Sequence, residues 1–154
     1  MAAPRPDDPA APGGVAEFLE DYRRALEAFD LEAVGAAYRL PLPVTRPDRT
    51  RVVEDDATLR EELGKILDFY RWAGMRRCEM TRLRIDGFDP GLAMASLTWR
   101  PLDHEGREIA LIDATFAIRR TSGGARIAAV IAHNEERHRV PIIRESLAAL
   151  EDTP

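Results

Sequence analysis

The sequence has very little cysteine, and several other features are missing altogether. Cys78 is the only cysteine in 154 residues, which excludes an internal disulfide and a multi-cysteine metal site. No apolar run approaches the roughly 18 residues that a membrane-spanning helix needs. The opening stretch MAAPRPDDPAAPGG has neither the apolar core nor the basic cluster of an export signal. We therefore expect a soluble, cytoplasmic protein that does not associate with membranes.

Clustered positive charge and the common catalytic motifs are missing as well. The formal net charge is −5, and residues 71–126, the most basic part, carry only 10 basic against 7 acidic side chains. Nucleic-acid binding, which needs a basic face across many phosphates, is not expected. There is no glycine-rich phosphate loop and no G-x-S-x-G motif. His133 and His138 are five residues apart, which fits no usual zinc pattern, so neither a metal nor a cofactor is predicted.

The first part of the chain, up to Tyr38, combines a proline-rich start with the apolar spacing of helices. Prolines and a Gly-Gly pair fill the first residues, so residues 1–14 are predicted to be a disordered tail and residues 15–140 the folded domain. Asp30 is predicted to cap a second helix, Leu31 to Tyr38, which ends at a proline-rich stretch. The first helix is predicted from an apolar stripe at helical spacing: Val15, Phe18, Leu19, Tyr22, Leu26 and Phe29.

The second half of the chain changes to the period of a β-sheet. A third helix is predicted within residues 54–74, after a short extended piece around residues 51–53, with Leu59, Leu63, Ile66, Leu67 and Tyr70 on its inner side. Residues 141–154 are predicted to form a last helix and tail, beginning at Pro141. Short turns predict an antiparallel meander of four strands: Arg77–Ile85, Leu92–Arg100, Glu108–Arg120 and Arg126–Asn134. Together these elements predict an α+β fold with helices packed on one face of a curved sheet.

The third strand of the meander contains an unexpected charge. In GREIALIDATFAIRR, Asp113 interrupts alternating apolar residues, where an unpaired carboxylate would be costly to bury. Ile112, Ala114, Phe116 and Ile118 should point to one face of the strand, and Ile109, Leu111, Asp113 and Thr115 to the other. The second apolar face needs a cover, either a homodimer partner or the C-terminal helix.

The order of elements, with DLEAVGAAY after the first helix and LIDATF on a late strand, resembles the nuclear transport factor 2-like superfamily, also called SnoaL-like. The resemblance covers about residues 15–135. It implies a cone-shaped fold in which a curved sheet wraps around the helices and leaves a largely apolar cavity at the open end. Relatives of this kind include several enzymes and many pocket proteins without known activity.

Within that superfamily, ketosteroid isomerase allows a residue comparison. It implies that Tyr22 and Asp113 stand where that enzyme places the tyrosine and the aspartic acid that hold its oxyanion. The proton-moving aspartate is replaced by Arg46, followed by Pro47. Arginine stays protonated and cannot serve as an ordinary general base, so the same isomerisation is not expected unless Asp48 turns inward. Arg46 instead suits an anionic or carbonyl-bearing ligand.

Each of these residues also has a structural interpretation. Tyr22 could be a core residue with a satisfied hydroxyl, and Asp113 could hydrogen-bond Tyr22 or a backbone group. Trp99 suits either the cavity wall or a dimer interface. The family comparison turns Val130 and Asn134 toward the cavity.

Three hypotheses follow for the function. The first is a protein that binds a small, mostly apolar ligand, with Tyr22, Arg46 and Asp113 as its polar contacts. The second is a lyase, isomerase or cyclase acting on a carbonyl compound, in which Asp113 or Asp48 moves a proton and Tyr22 steadies an oxyanion. The third is a dimerisation or scaffold module whose cavity is filled by its own side chains. A small-molecule ligand and a homodimer partner are the predicted partners, and whether the protein is an enzyme stays open.

Overall fold

The computed structural model describes residues 12–133, which form three helices and six strands. The predicted C-terminal helix from Pro141, together with Asn134 and His138, lies outside the described residues. In chain order the elements are α1 Pro12–Glu27, α2 Leu31–Ala36, β1 Leu42–Arg46, β2 Arg49–Val53, α3 Asp56–Trp72, β3 Arg77–Asp89, β4 Leu92–Leu102, β5 Ile112–Thr121 and β6 Gly124–Ala132.

The helices begin where side chains can satisfy their free N–H groups. Asp30 caps α2 by accepting from the Ala33 N–H at 3.1 Å, as predicted, and Asp55 caps α3 by accepting from the Thr58 N–H at 2.7 Å. Helix α1 begins at Pro12, three residues before the expected start of the folded domain. A proline is compatible with a first helical turn because that turn needs no N–H donor there.

The strands form one curved, unclosed sheet in the order β2-β1-β6-β5-β4-β3. The predicted antiparallel meander of β3 to β6 is confirmed. The β1–β2 hairpin is a correction, because the proline-rich stretch after α2 was expected only to break a helix. Strand β1 also pairs in parallel with β6, through Val44 and Val130. That partner lies far along the chain, so local sequence carries no sign of it.

The start of β5 is another correction. The strand begins at Ile112, while Glu108 forms only an isolated bridge to Leu102. Ile109 and Leu111 therefore precede the strand and do not extend its second face. Of the four residues assigned to that face, only Asp113 and Thr115 lie within β5.

Helix α1 holds the edge strand β3 through its side chains. The Glu27 carboxylate accepts from the Cys78 N–H at 2.9 Å, and Arg23 donates to the Cys78 carbonyl at 3.3 Å. Arg23 also donates to Glu27 at 2.5 Å, which fixes the carboxylate in place. Backbone groups of an edge strand that would otherwise be open to pairing are thus used within the domain.

The helices pack on one side of the sheet, here called the inner face, which carries Trp99, Ile112 and Phe116. Leu19 of α1 and Ile118 of β5 are completely buried between the two layers. Ile66, expected to point inward from α3, borders the cavity described below and is 40% exposed. None of the described helices is both long enough and apolar enough to span a bilayer.

Candidate functional site

A cavity of about 250 Å³ lies between the inner face of the sheet and helices α1 and α3. Apolar and aromatic side chains make up most of its wall, so the transfer of an apolar ligand from water into the cavity is favourable. Three strands of the inner face contribute Trp99, Pro101, Ile112, Ala114, Phe116 and Val130. The predicted site residues Tyr22, Arg46, Trp99 and Val130 all border this cavity.

Two tyrosines form the polar centre of the wall. The Tyr22 and Tyr38 hydroxyl oxygens are 2.5 Å apart, and the two rings meet nearly edge-on at 5.9 Å. Trp99 and Phe116 hold the Tyr22 ring, with centroids at 5.7 and 6.2 Å. Tyr38 was not among the predicted site residues. It was expected to end α2, whereas it lies beyond that helix and bridges to Ile127 of β6.

Burial keeps these phenols protonated. It raises the pKa of Tyr22 well above its ordinary value, helped by the neighbouring Tyr38, and raises the pKa of Tyr38 to about 12 against a lowering hydrogen bond from Tyr22. Two hydroxyl groups carry two protons, and their mutual hydrogen bond uses one. Within residues 12–133 the other proton has no acceptor, so the pair has one donor to offer to a ligand.

A third tyrosine, Tyr70 of α3, also borders the cavity. Burial raises its pKa above the ordinary value, with a smaller contribution from Cys78. Its hydroxyl has no hydrogen-bond partner within the described part of the chain. Every tyrosine of the protein thus lines one hollow in its neutral form.

Arg46 is the charged side chain that β1 brings to this wall. It ends the strand on the face of Val44, which pairs with the cavity residue Val130. Arg46 also takes part in another interaction, so it is not a solitary buried charge. A planar guanidinium at this position can add a second, charged contact to a ligand oxygen.

Asp113 borders the cavity, but its carboxylate does not point into it. Its Oδ1 accepts from the Thr98 hydroxyl at 2.6 Å, and Thr98 is its partner across the β4–β5 ladder. Trp99, the next residue of β4, packs on Tyr22, so Thr98 and Asp113 must face the opposite side of the sheet. Tyr22 and Asp113 thus border one cavity as expected, but the Asp113 carboxylate bonds to Thr98 and not to the Tyr22 phenol.

This geometry predicts that Asp113→Asn leaves ligand affinity unchanged within about twofold. The free energy of unfolding should fall by roughly 1–3 kcal/mol, because the Thr98 hydroxyl loses a charged acceptor. Thr98→Val should cost a similar amount by removing the donor instead. Urea unfolding and a ligand titration on both variants check this. If Asp113→Asn loses affinity tenfold while its stability is unchanged, the Asp113 carboxylate contacts the ligand and this prediction is wrong.

The chain as a whole matches a family model. Residues 11–135 match the family described as NTF2-like protein (DUF6841), which is most of the chain. This chain belongs to that NTF2-like family. The predicted superfamily and the cone-shaped α+β fold are confirmed by this match and by the six-stranded curved sheet.

Solved structures with the same fold resemble this NTF2-like protein at low sequence identity. A protein of unknown function with a cystatin-like fold from Nostoc punctiforme is 12% identical, with a TM-score of 0.64 over 84% of this chain and 92% of that one. A ketosteroid isomerase-like protein from Erwinia carotovora atroseptica is 15% identical, with a TM-score of 0.58 over 83% and 95%. A putative dehydratase of the NTF2-like family from Streptomyces avermitilis is 17% identical, with a TM-score of 0.58 over 78% and 92%. No curated protein matches the sequence.

Of the two remaining predicted site residues, Asp48 and Asn134, only Asp48 lies in the described part of the chain. Asp48 lies exposed in the turn between β1 and β2 and does not border the cavity. Asn134 lies outside the described residues. His133 lies on the outer face, the opposite side of the sheet from the helices. Its Nε2 is 2.6 Å from the Thr115 hydroxyl, which in turn is 2.8 Å from the Ser96 hydroxyl.

The described wall offers donors and apolar surface but no general base. Within residues 12–133 the one carboxylate residue at its border, Asp113, accepts from the Thr98 hydroxyl, and no histidine borders it. Cys78 borders it, but burial, reinforced by Glu27, raises the pKa of its thiol to about 12, so a thiolate nucleophile is not available at neutral pH. No group of His, Cys, Asp and Glu in the described part of the chain could hold a metal ion.

Proposed function

We propose that this NTF2-like protein binds a small, mostly apolar ligand that carries a hydrogen-bond acceptor, such as a carbonyl oxygen. The observation that carries the proposal is the Tyr22–Tyr38 pair, which holds one uncommitted hydroxyl proton in a mostly apolar wall. A buried donor without a partner is costly, and a ligand oxygen removes that cost. Arg46 stands on the same wall to assist an oxygen with partial or full negative charge.

The size of the cavity narrows the ligand class. An engineered apolar cavity of roughly 150 Å³ holds benzene, and pockets for drug-sized ligands begin near 300 Å³. At about 250 Å³ this cavity suits one or two fused rings with a short polar substituent. The same volume speaks against the third hypothesis, a scaffold module with a filled cavity.

Binding is favoured over proton-transfer catalysis by the position of the carboxylates. The enzymatic hypothesis assigned the base to Asp113 or Asp48. The Asp113 carboxylate is bonded to Thr98, and Asp48 is exposed to solvent. Relatives of similar fold are named as ketosteroid isomerase-like and as a putative dehydratase, which supports a small-molecule ligand of carbonyl type. A homodimer and a cytoplasmic location stay predictions from the sequence.

The test compares two probes of one shape. 2-Acetylnaphthalene carries a carbonyl oxygen, whereas 2-isopropenylnaphthalene replaces that oxygen with a methylene group. Isothermal titration should show the ketone binding about fivefold more tightly, because one hydrogen bond contributes roughly 1 kcal/mol. The double variant, Tyr22→Phe with Tyr38→Phe, should remove this preference and retain hydrocarbon binding, because either single variant leaves the other hydroxyl with its own proton to donate.

Tyr70→Phe is the matched control, since it deletes a hydroxyl from the same wall but not from the pair. It should keep the preference for the ketone. Absence of binding by both probes to the wild-type protein would overturn the proposal. If only Tyr70→Phe abolishes the preference, Tyr70 is the donor and the assignment to the Tyr22–Tyr38 pair is wrong.

A further inference from the structure

A second concave site lies beside the cavity that Tyr22, Tyr38 and Tyr70 line, which we call the tyrosine cavity. It is a surface dent of about 330 Å³ at the carboxyl ends of α1 and α3, and we call it the arginine dent. Arg71, Arg76 and His104 border it, together with Phe29 and Gly74. Sequence reasoning gave no function to any of these residues.

The arginine dent has an excess of positive charge. Arg71 lies over the Phe29 ring, with its guanidinium carbon 4.8 Å from the ring centroid. Neither Arg71 nor Arg76 forms an ion pair within residues 12–133. The one carboxylate that borders the dent, Glu27, is already bonded to Arg23 and to the Cys78 N–H.

The end of α3 does not cancel this charge. Carbonyl groups at a helix C-terminus would repel an anion if they were open. Here the Phe69, Tyr70 and Arg71 carbonyls accept from the N–H groups of Ala73, Met75 and Gly74 at 2.9 to 3.1 Å. The guanidinium groups are thus the strongest uncommitted polar groups in the described wall of the dent.

Met75 is the partition between the dent and the tyrosine cavity. It borders both, and it is buried. Consecutive residues of two helices also divide between them: Leu26 and Tyr70 face the cavity, whereas Glu27 and Arg71 face the dent. A methionine side chain is unbranched and adapts its shape readily, so this partition can yield to a ligand.

We propose that the arginine dent binds the oxyanion of an amphipathic ligand whose apolar rings occupy the tyrosine cavity, with Met75 displaced between them. This inference rests on the proposed function and narrows the ligand to an apolar molecule with an acidic group. Arg71 and Arg76 hold the oxyanion, which a carboxylate, sulfonate or phosphate can supply.

Two fluorescent probes with one ring framework test the proposal. Naphthalene is neutral, and 2-naphthalenesulfonate adds a sulfonate to the same rings. In the variant Arg71→Gln with Arg76→Gln, the sulfonate should bind at least tenfold more weakly, while the neutral probe should bind as it does to the wild type. Circular dichroism confirms that the variant is folded.

The control removes the same charge elsewhere. Arg119→Gln with Arg126→Gln changes two exposed arginines of β5 and β6 and should leave both affinities unchanged. Equal weakening by the two double variants would reduce the effect to long-range attraction and overturn the inference. Unchanged sulfonate binding in the dent variant would overturn it as well. Failure of both probes to bind the wild type would instead count against the proposed function.

A change at the partition gives an independent result. Met75→Ala joins the two spaces and should strengthen sulfonate binding relative to the neutral probe, because the rings and the oxyanion no longer have to displace a side chain. Met75→Leu keeps the volume and should behave like the wild type. Identical affinities in Met75→Ala and the wild type would show that the two spaces act separately.

Discussion

Ala114→Phe is expected to abolish binding of 2-acetylnaphthalene while leaving the protein folded. Ala114 lies on the inner face of β5 and borders the tyrosine cavity. A benzene ring fills a cavity of roughly 150 Å³, so a phenyl side chain would leave roughly 100 Å³ of the cavity. That volume is too small for a naphthyl ring. Isothermal titration should show at least a hundredfold loss of affinity. Crowding in the wall should lower the free energy of unfolding by about 1–3 kcal/mol.

The matched control is Ala117→Phe, three residues further along the same strand. Ala117 pairs with Met94 and Ala129 and lies on the outer face, so its new ring enters no part of the cavity. This variant should bind the ketone like the wild type. If it loses affinity as strongly as Ala114→Phe, the loss comes from a disturbed sheet and the ligand does not occupy the cavity.

The second large effect is expected in strong alkali. The folded protein should show no tyrosinate absorption at pH 10.5, whereas in guanidinium chloride the three tyrosines should be half ionised near pH 10. Burial is the main reason, since it raises the pKa of Tyr22, Tyr38 and Tyr70 together. Absorbance at 295 nm, followed against pH in both solvents, measures the difference.

The same shifts make stability depend on pH above about 9. Below about pH 7.5 the phenols and the Cys78 thiol are protonated in both the folded and the unfolded chain. As pH rises, the unfolded chain releases these protons first, so the unfolded state is favoured. Each retained proton lowers the free energy of unfolding by about 1.4 kcal/mol per pH unit until the folded group ionises. Denaturant unfolding that stays constant from pH 9 to 11 would contradict the burial of these groups.

Local patterns predicted most of the elements. The helical stripe through Leu19 and Tyr22, the aspartate cap of α2 and the short turns between β3 and β6 are all signals that act within a few residues. They were enough for the α+β class and the meander. The β1–β2 hairpin was missed because the prolines of this stretch were interpreted only as helix breakers, and the parallel pairing of β1 with β6 has no local signal.

Asp113 shows how a resemblance can compete with a pattern. The period of the strand already put Asp113 on the face opposite Ile112, Ala114 and Phe116, the side chains expected to meet the helices. The comparison with ketosteroid isomerase nevertheless turned it toward Tyr22. The hydrogen bond from Thr98 and the contact of Trp99 with Tyr22 agree with the strand period.

The cavity residues divide in the same way. Tyr22, Arg46, Trp99 and Val130 were placed in the site from the sequence and its resemblance, and they border one hollow. Tyr38 was not, because it lies just past a short helix with no periodic signal of its own. The arginine dent was also missed, since it joins the ends of two helices and the start of β3.

The sequence by itself determined the helices, the meander and the α+β class, because hydrophobic period, caps and turns are properties of neighbouring residues. Only the tertiary structure decided that Tyr38 meets Tyr22 and that Met75 stands between two hollows. Those relations join residues distant in the chain, and packing of the helices against the curved sheet fixes them.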